Sequence, residues 1–253
     1  MRLNRKIKSL IFAISCAVGL VALGGFIHLR QKAKTVKKVS VKIDNEYNNY
    51  FIRDLEVRNL LTRDGARKLE GTEAQDLDLK NLEMRVKSHK FVKDAQIYRD
   101  LESNINVSIK QNRPIARILH ADTDAYIDRD GNILPLSDRF TARVLPITKS
   151  VLAPAFNKEF FQDSAGRAYL QLIEFIERDE FWRAQIAQLH IDAKGKVVFL
   201  PQVGNQNIEF GKPEDVDSKF RKLMVFYQKV LPVMGWDRYK RVNVEFHNQI
   251  ICE

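Results

Sequence analysis

Residues 91–118 read FVKDAQIYRDLESNINVSIKQNRPIARI, and the fold turns on them. Across 91–98, Val92, Ala95 and Ile97 supply an apolar side. Across 104–109 the alternation is strict, with Ile105, Val107 and Ile109 on one side and Asn106 and Ser108 on the other. A period of two belongs to a strand with one face buried, so the stretch predicts two strands. After Pro114 the pattern changes to short apolar runs at 116–120, 125–128 and 133–136. Asp130-Gly131 between the last two is a hairpin turn signal.

Upstream, residues 76–89 carry Leu79, Leu82 and Val86 at spacings of three and four, which predicts a helix. A shorter helix is expected over 54–61, with Val57, Leu60 and Leu61 on one face. Residues 39–43 alternate as a strand, and Gly65 and Gly71 mark turns. The order over 39–113 is therefore strand, helix, helix, strand, strand, which is that of a POTRA domain. Its expected core includes Val41, Leu60, Leu82, Val92 and Val107.

Downstream, a strand is expected at 144–148 and a helix over 164–183, with Tyr169, Leu172, Ile173 and Ile176 inward. Residues 188–192 and 196–200 form a hairpin around Lys194-Gly195, and 207–210 is a further strand. Residues 217–231 make an amphipathic helix through Phe220, Leu223, Met224, Tyr227, Val230 and Leu231, ended by Pro232 and Gly235. The fold class read from these elements is α+β. An N-terminal transmembrane helix precedes the POTRA domain, and a domain on an antiparallel sheet with two helices follows it.

The chain has 42 Lys and Arg against 32 Asp and Glu. Nine of the basic residues lie in the first 38, where there is no acidic one, so the remaining chain carries 33 against 32. A nucleic-acid-binding body would keep its basic excess, and this one does not. The excess instead brackets residues 9–27, SLIFAISCAVGLVALGGFI, an uncharged run that suits lipid on both flanks. Nineteen residues at about 1.5 Å each come close to a bilayer core of about 30 Å. A cleaved signal peptide would have an apolar region of about 7–15 residues and a better exit than Ala22-Leu23-Gly24. A lipoprotein signal ending at Cys16 would turn polar afterwards, and 17–27 stays apolar. The expected organisation is a cytoplasmic tail over 1–8, a span over 9–29, a basic segment over 30–38, the POTRA domain over 39–113 and a β domain over 114–253. Four basic residues precede the span and five follow it, so charge bias leaves its direction open. The two cysteines, Cys16 in the span and Cys252 near the C-terminus, predict no intrachain disulfide.

The chain resembles the FtsQ/DivIB family of bacterial division proteins. The resemblance rests on Phe91-Val92-Lys93-Asp94-Ala95-Gln96-Ile97, on the strand 104–109 and on Gln111-Asn112-Arg113-Pro114-Ile115-Ala116-Arg117. Tyr126-Ile127-Asp128 before Gly131 and the closing run 220–252 add to it. Asn112 departs from the pattern, where an arginine is common. Order along the chain, rather than any one motif, carries the likeness. It implies a non-enzymatic divisome scaffold that binds FtsB-like and FtsL-like partners and helps regulate septal peptidoglycan synthesis. It also places the body in the periplasm, with the anchor in the inner membrane at the septum.

Chemical sites are not expected. Counting back from Gly131 as the sixth position of a calcium loop puts Tyr126 first and Ser137 twelfth, and neither is a ligand of that type. His28, His89, His120, His190 and His247 show no ligand spacing. There is no G-x-S-x-G, no phosphate-binding glycine loop and no S-x-x-K opening a helix, so neither catalytic residues, cofactors nor a small-molecule substrate are expected. The candidate site is a partner-docking edge. Val242, Val244 and Phe246 alternate, and Gln249, Ile250, Ile251 and Cys252 follow without charge. An unprotected sheet edge can accept a strand from another chain. The apolar stripe on 217–231 is the competing surface, with domain core as its plainer use. Two other classes compete with a scaffold: an anchored envelope assembly factor or chaperone that uses its POTRA domain, and an anchored cell-wall enzyme.

Overall fold

The computed structural model describes residues 14–22, 25, 35–45, 48–73, 75–119 and 124–253. The span expected over 9–29 falls largely outside them; residues 14–22 within it are helical. No described helix is long and apolar enough to cross a membrane. The chain divides into two compact units, one of 1–46 with 52–111, the other of 47–51 with 112–253.

The first unit runs β1 (Val39–Asp44), α1 (Asp54–Thr62), α2 (Leu79–Lys87), β2 (Val92–Arg99) and β3 (Ile105–Gln111). The sheet order is β1-β3-β2, with β1 parallel and β2 antiparallel to β3. Helix α1 opens with the Glu56 carboxylate accepting the Arg53 amide at 3.1 Å, and α2 opens with Asp78 accepting the Asn81 amide at 3.0 Å. Side chains at these positions satisfy amides that the first turn leaves unpaired. Asp78 caps α2 two residues inside the expected run 76–89, so the helix is shorter than the periodicity implied. Val57, Leu61, Leu82 and Val86 pack on Ala95, Ile97, Ile105, Val107 and Ile109. Val41 and Leu60 lie partly buried against that core.

The second unit is built on one nine-stranded sheet. Its strands are β4 (Pro114–Ile118), β5 (Ala125–Asp128), β6 (Ile133–Pro135), β7 (Leu145–Lys149), β8 (Ile186–Ile191), β9 (Val197–Pro201), β10 (Asn207–Gly211), β11 (Arg241–Asn243) and β12 (Ile251–Cys252). Their order across the sheet is β12-β11-β10-β9-β8-β7-β4-β5-β6. Helices α3 (Lys158–Gln162), α4 (Ser164–Arg178) and α5 (Glu180–Gln185) lie between β7 and β8 in the chain. Helix α6 (Val216–Val225), a π turn (Phe226–Val230) and the short α7 (Leu231–Met234) lie between β10 and β11.

Three expectations for this unit are corrected. The sheet is mixed, not antiparallel: β4–β7, β7–β8 and β10–β11 are parallel. Helical crossovers return the chain to the same end of the sheet for β7–β8 and β10–β11, and the connection through β5, β6 and residues 136–144 does so for β4–β7. The helix expected over 164–183 is two helices. Asp179 is extended (φ −89°, ψ 122°), and its carboxylate accepts the Phe181 and Trp182 amides at 2.9 and 3.0 Å, which starts α5 afresh. The last helix does not stop at Pro232, which has no amide to donate; the wider π turn carries the chain past it. The helix ends at Gly235, where φ is +94°. Phe220 sits at the centre of the core, 4.5 Å from the Phe175 ring, 4.9 Å from Trp182 and 5.4 Å from Phe210. Phe51, from the segment 47–51, is buried with its ring 4.9 Å from Phe140 and 6.0 Å from Tyr126.

Candidate functional site

Four strands end the two sheets, and their edges are not alike. On β1, the Arg58 guanidinium donates to the Val39 carbonyl at 3.1 Å, and the Val39 amide donates to Glu70 at 3.3 Å. On β2, the Ile97 amide donates to Glu83 at 3.4 Å. Strand β6 is three residues long and finishes on Pro135, which lacks an amide. Each of these edges is shortened or occupied, as natural sheets guard against stray pairing. Strand β12 is shorter still, with two residues, but among the described residues no side-chain hydrogen bond or proline closes its outer edge.

Register decides what β12 presents. It pairs antiparallel with β11, Val242 opposite Cys252 and Asn243 opposite Ile251. Arg241 and Glu253 exchange both backbone bonds, at 3.0 and 2.9 Å. In an antiparallel ladder, bonded and non-bonded pairs alternate. Ile251 therefore faces β11 with its backbone, whereas Cys252 turns its amide and carbonyl outward. The side chains alternate too. Ile250 and Cys252 pack against the core; Ile251 is 36% exposed. Burial pushes the Cys252 thiol above its ordinary pKa.

The expected docking residues thus separate. Val242 and Val244 are fully buried, so their side chains serve the core. Phe246 and Gln249 are exposed in the turn between the two strands, not in a strand. The stripe on 217–231 is likewise core: Phe220, Leu223, Tyr227 and Leu231 are buried, with Met224 and Val230 packed beside them. A cluster the alternation did not reveal lies on the opposite face. Glu209 accepts two bonds from Arg241, at 2.6 and 2.8 Å, and one from Asn243, at 2.6 Å. Arg241 also meets the Glu253 side chain at 2.8 Å. Read along the sequence, these are only the polar positions of half-buried strands; what joins them is the β10–β11 pairing.

Arg241 holds the Glu209 carboxyl below its ordinary pKa, and Asn243 adds to this. A carboxylate depressed in the folded state stabilises above its unfolded pKa and loses that contribution as pH falls through the folded value. Protection of the 241–253 amides from hydrogen exchange should therefore weaken below about pH 4.5, and Glu209→Gln should flatten that profile. An unchanged profile in the variant would remove the cluster's role.

Among the described residues no three potential metal ligands gather. The Asp128 carboxylate is spent on its own turn, accepting the Asp130 and Asn132 amides at 2.9 and 2.8 Å. His190 Nδ1 lies 3.1 Å from the Thr148 hydroxyl. A cavity of about 470 Å³ in the first unit is lined by Val39, Arg58, Leu61 and Glu70 among others. Its Arg58 and Glu70 are the groups that close β1.

Comparison with known proteins meets this architecture from both ends. A POTRA-like domain model matches residues 34–110. The model for the FtsQ/DivIB C-terminal-related family matches residues 113–253, more than half of the chain. The chain belongs to the FtsQ/DivIB family. Its FtsQ/DivIB-related region contains the whole nine-stranded sheet and hence the open β12 edge. A curated relative, the cell division protein FtsQ of Rhodothermus marinus, is 24% identical over 184 residues. That match covers 70% of this chain and 65% of the relative, so the two are shared over only part of their lengths.

Proposed function

We propose that this protein is a non-enzymatic, membrane-anchored scaffold of bacterial cell division, docking partners by strand addition at β12. The observation that carries the reading is the open edge of a family-matched domain whose other edge, β6, ends on a proline. Backbone pairing supplies affinity, and alternate side chains supply specificity. Phe246, Gln249 and Ile251 are the side chains offered around it, with Ile250 and Cys252 contributing the outward backbone. FtsB-like and FtsL-like proteins are the proposed partners, and control of septal peptidoglycan synthesis the proposed consequence. The closed edges of β1 and β2 weigh against a POTRA domain that holds client strands.

Residues 9–29 are the proposed inner-membrane span, with 1–8 cytoplasmic and the basic segment 30–38 at the outer face. The POTRA domain (39–113) and the β domain (114–253) then stand in the periplasm. Protease added to intact spheroplasts should digest the body, and full protection until lysis would reverse the orientation. Tagged protein purified from crosslinked membranes should bring down FtsB-like and FtsL-like chains, and a fluorescent fusion should gather at the septum. A dispersed signal with many unrelated clients would replace the scaffold by an envelope assembly factor.

A further inference from the structure

Where β11 leaves the sheet, the chain reverses through residues 244–250 into β12. Only two residue pairs join β12 to β11, besides the Arg241–Glu253 exchange. A short two-stranded ribbon is marginal by itself, so its position depends on what holds the turn. On one side Lys222, from α6, donates through Nζ to the carbonyls of Val244 and Phe246, at 2.6 and 2.5 Å. These residues lie 22 and 24 positions away in sequence. Burial lowers the Lys222 pKa, opposed by nearby Asp215. On the other side Glu245 meets Lys196 at 2.8 Å. Its side chain crosses over Gly211 (φ +77°), where a Cβ would stand 2.7 Å from Glu245 Cγ. The turn is therefore gripped from the helix and from the sheet.

We propose that Lys222 is a positioning residue for the open edge: by holding the Val244 and Phe246 carbonyls it fixes the turn from which β12 is offered to an incoming strand. The inference rests on the strand-addition reading above. An edge already ordered spares the partner the cost of ordering it, which raises affinity without adding a contact. The ammonium is suited to this because its three donors serve two carbonyls that leave the ladder with no strand amide donating to them.

The test uses the full chain in detergent micelles. Lys222→Met keeps the aliphatic stem and removes the donors; Lys222→Arg restores donors. The probe is a synthetic peptide of the extracytoplasmic C-terminal segment of the FtsB-like protein from the same genome. Lys222→Met should weaken the peptide about tenfold. It should also speed exchange in 241–253 and alkylation of the Cys252 thiol, resolved from Cys16 by peptide mass. Exchange in β8 and β9 should stay as in the native protein, and Lys222→Arg should recover most of the affinity. If Lys222→Met binds normally while Cys252→Pro does not, the positioning role fails and the docking edge stands. If both bind normally, the docking reading itself fails. Faster exchange throughout the second unit would make Lys222 a general stabiliser and overturn the inference.

Discussion

Leu82→Asp should cost the first unit most or all of its stability. Leu82 is 4% exposed on α2, in one apolar cluster with Val57, Leu61 and Val86. Lys80 is exposed and, two residues away, does not share Leu82's helix face, and the next cations along the helix are already engaged. Arg85 donates to the Leu60 and Leu61 carbonyls at 3.3 and 3.1 Å, and Lys87 pairs with Glu83 and Asp94, each at 2.9 Å. An aspartate there would bury a carboxylate without a partner, at a cost of several kcal/mol after relaxation. That rivals the roughly 5–15 kcal/mol that holds a domain together. Leu82→Ala, which leaves only a cavity, should cost about 2–5 kcal/mol. Hydrogen exchange over 92–111 reads both variants. Native protection in the aspartate variant would mean that Leu82 does not face the sheet.

Cys252→Pro should abolish most partner binding while leaving the fold intact. The Cys252 amide points away from β11, so proline removes a donor that only an added strand would use. The Arg241–Glu253 exchange and the Asn243–Ile251 pair remain to hold the hairpin. Loss of one bond is worth about 0.5–1.5 kcal/mol, and the ring also obstructs the approaching backbone. A fall in affinity of about tenfold or more is therefore expected for the same peptide probe. Ile251→Pro is the informative contrast. Its amide faces Asn243, so proline there attacks the hairpin itself and should raise exchange in 241–253 before any partner arrives. A folded Cys252→Pro protein that binds as tightly as the native one would remove β12 as the docking strand.

The first unit was legible because its signals are local. Ile105, Val107 and Ile109 alternate within one strand, and Leu79, Leu82 and Val86 share one helix face, so each element declares its buried side alone. The second unit was half legible for the same reason. Asp130-Gly131 and Lys194-Gly195 marked their hairpins, but nothing in the strand at 145–149 says that β4 and β8 will flank it in parallel. That pairing depends on crossovers of many residues. The break at Asp179 was missed because an aspartate on a helix surface and one capping a new helix look alike until the backbone is seen. Helix α3 has five residues, too few to show a helical period. For the proposed docking edge, the strand's existence could be read and its register could not. Which of Ile251 and Cys252 faces outward follows from the Arg241–Glu253 pairing.

The division of the chain also bears on how such proteins can be recombined. The second unit includes two separate stretches, 47–51 and 112–253, because Phe51 is buried with Tyr126 and Phe140. A single crossover near residue 112 would import a foreign β domain and keep the resident Phe51. The incoming ring pocket would then meet an aromatic it had not coevolved with. Functional chimaeras between relatives should therefore need a double exchange, with the five-residue piece travelling alongside the large one.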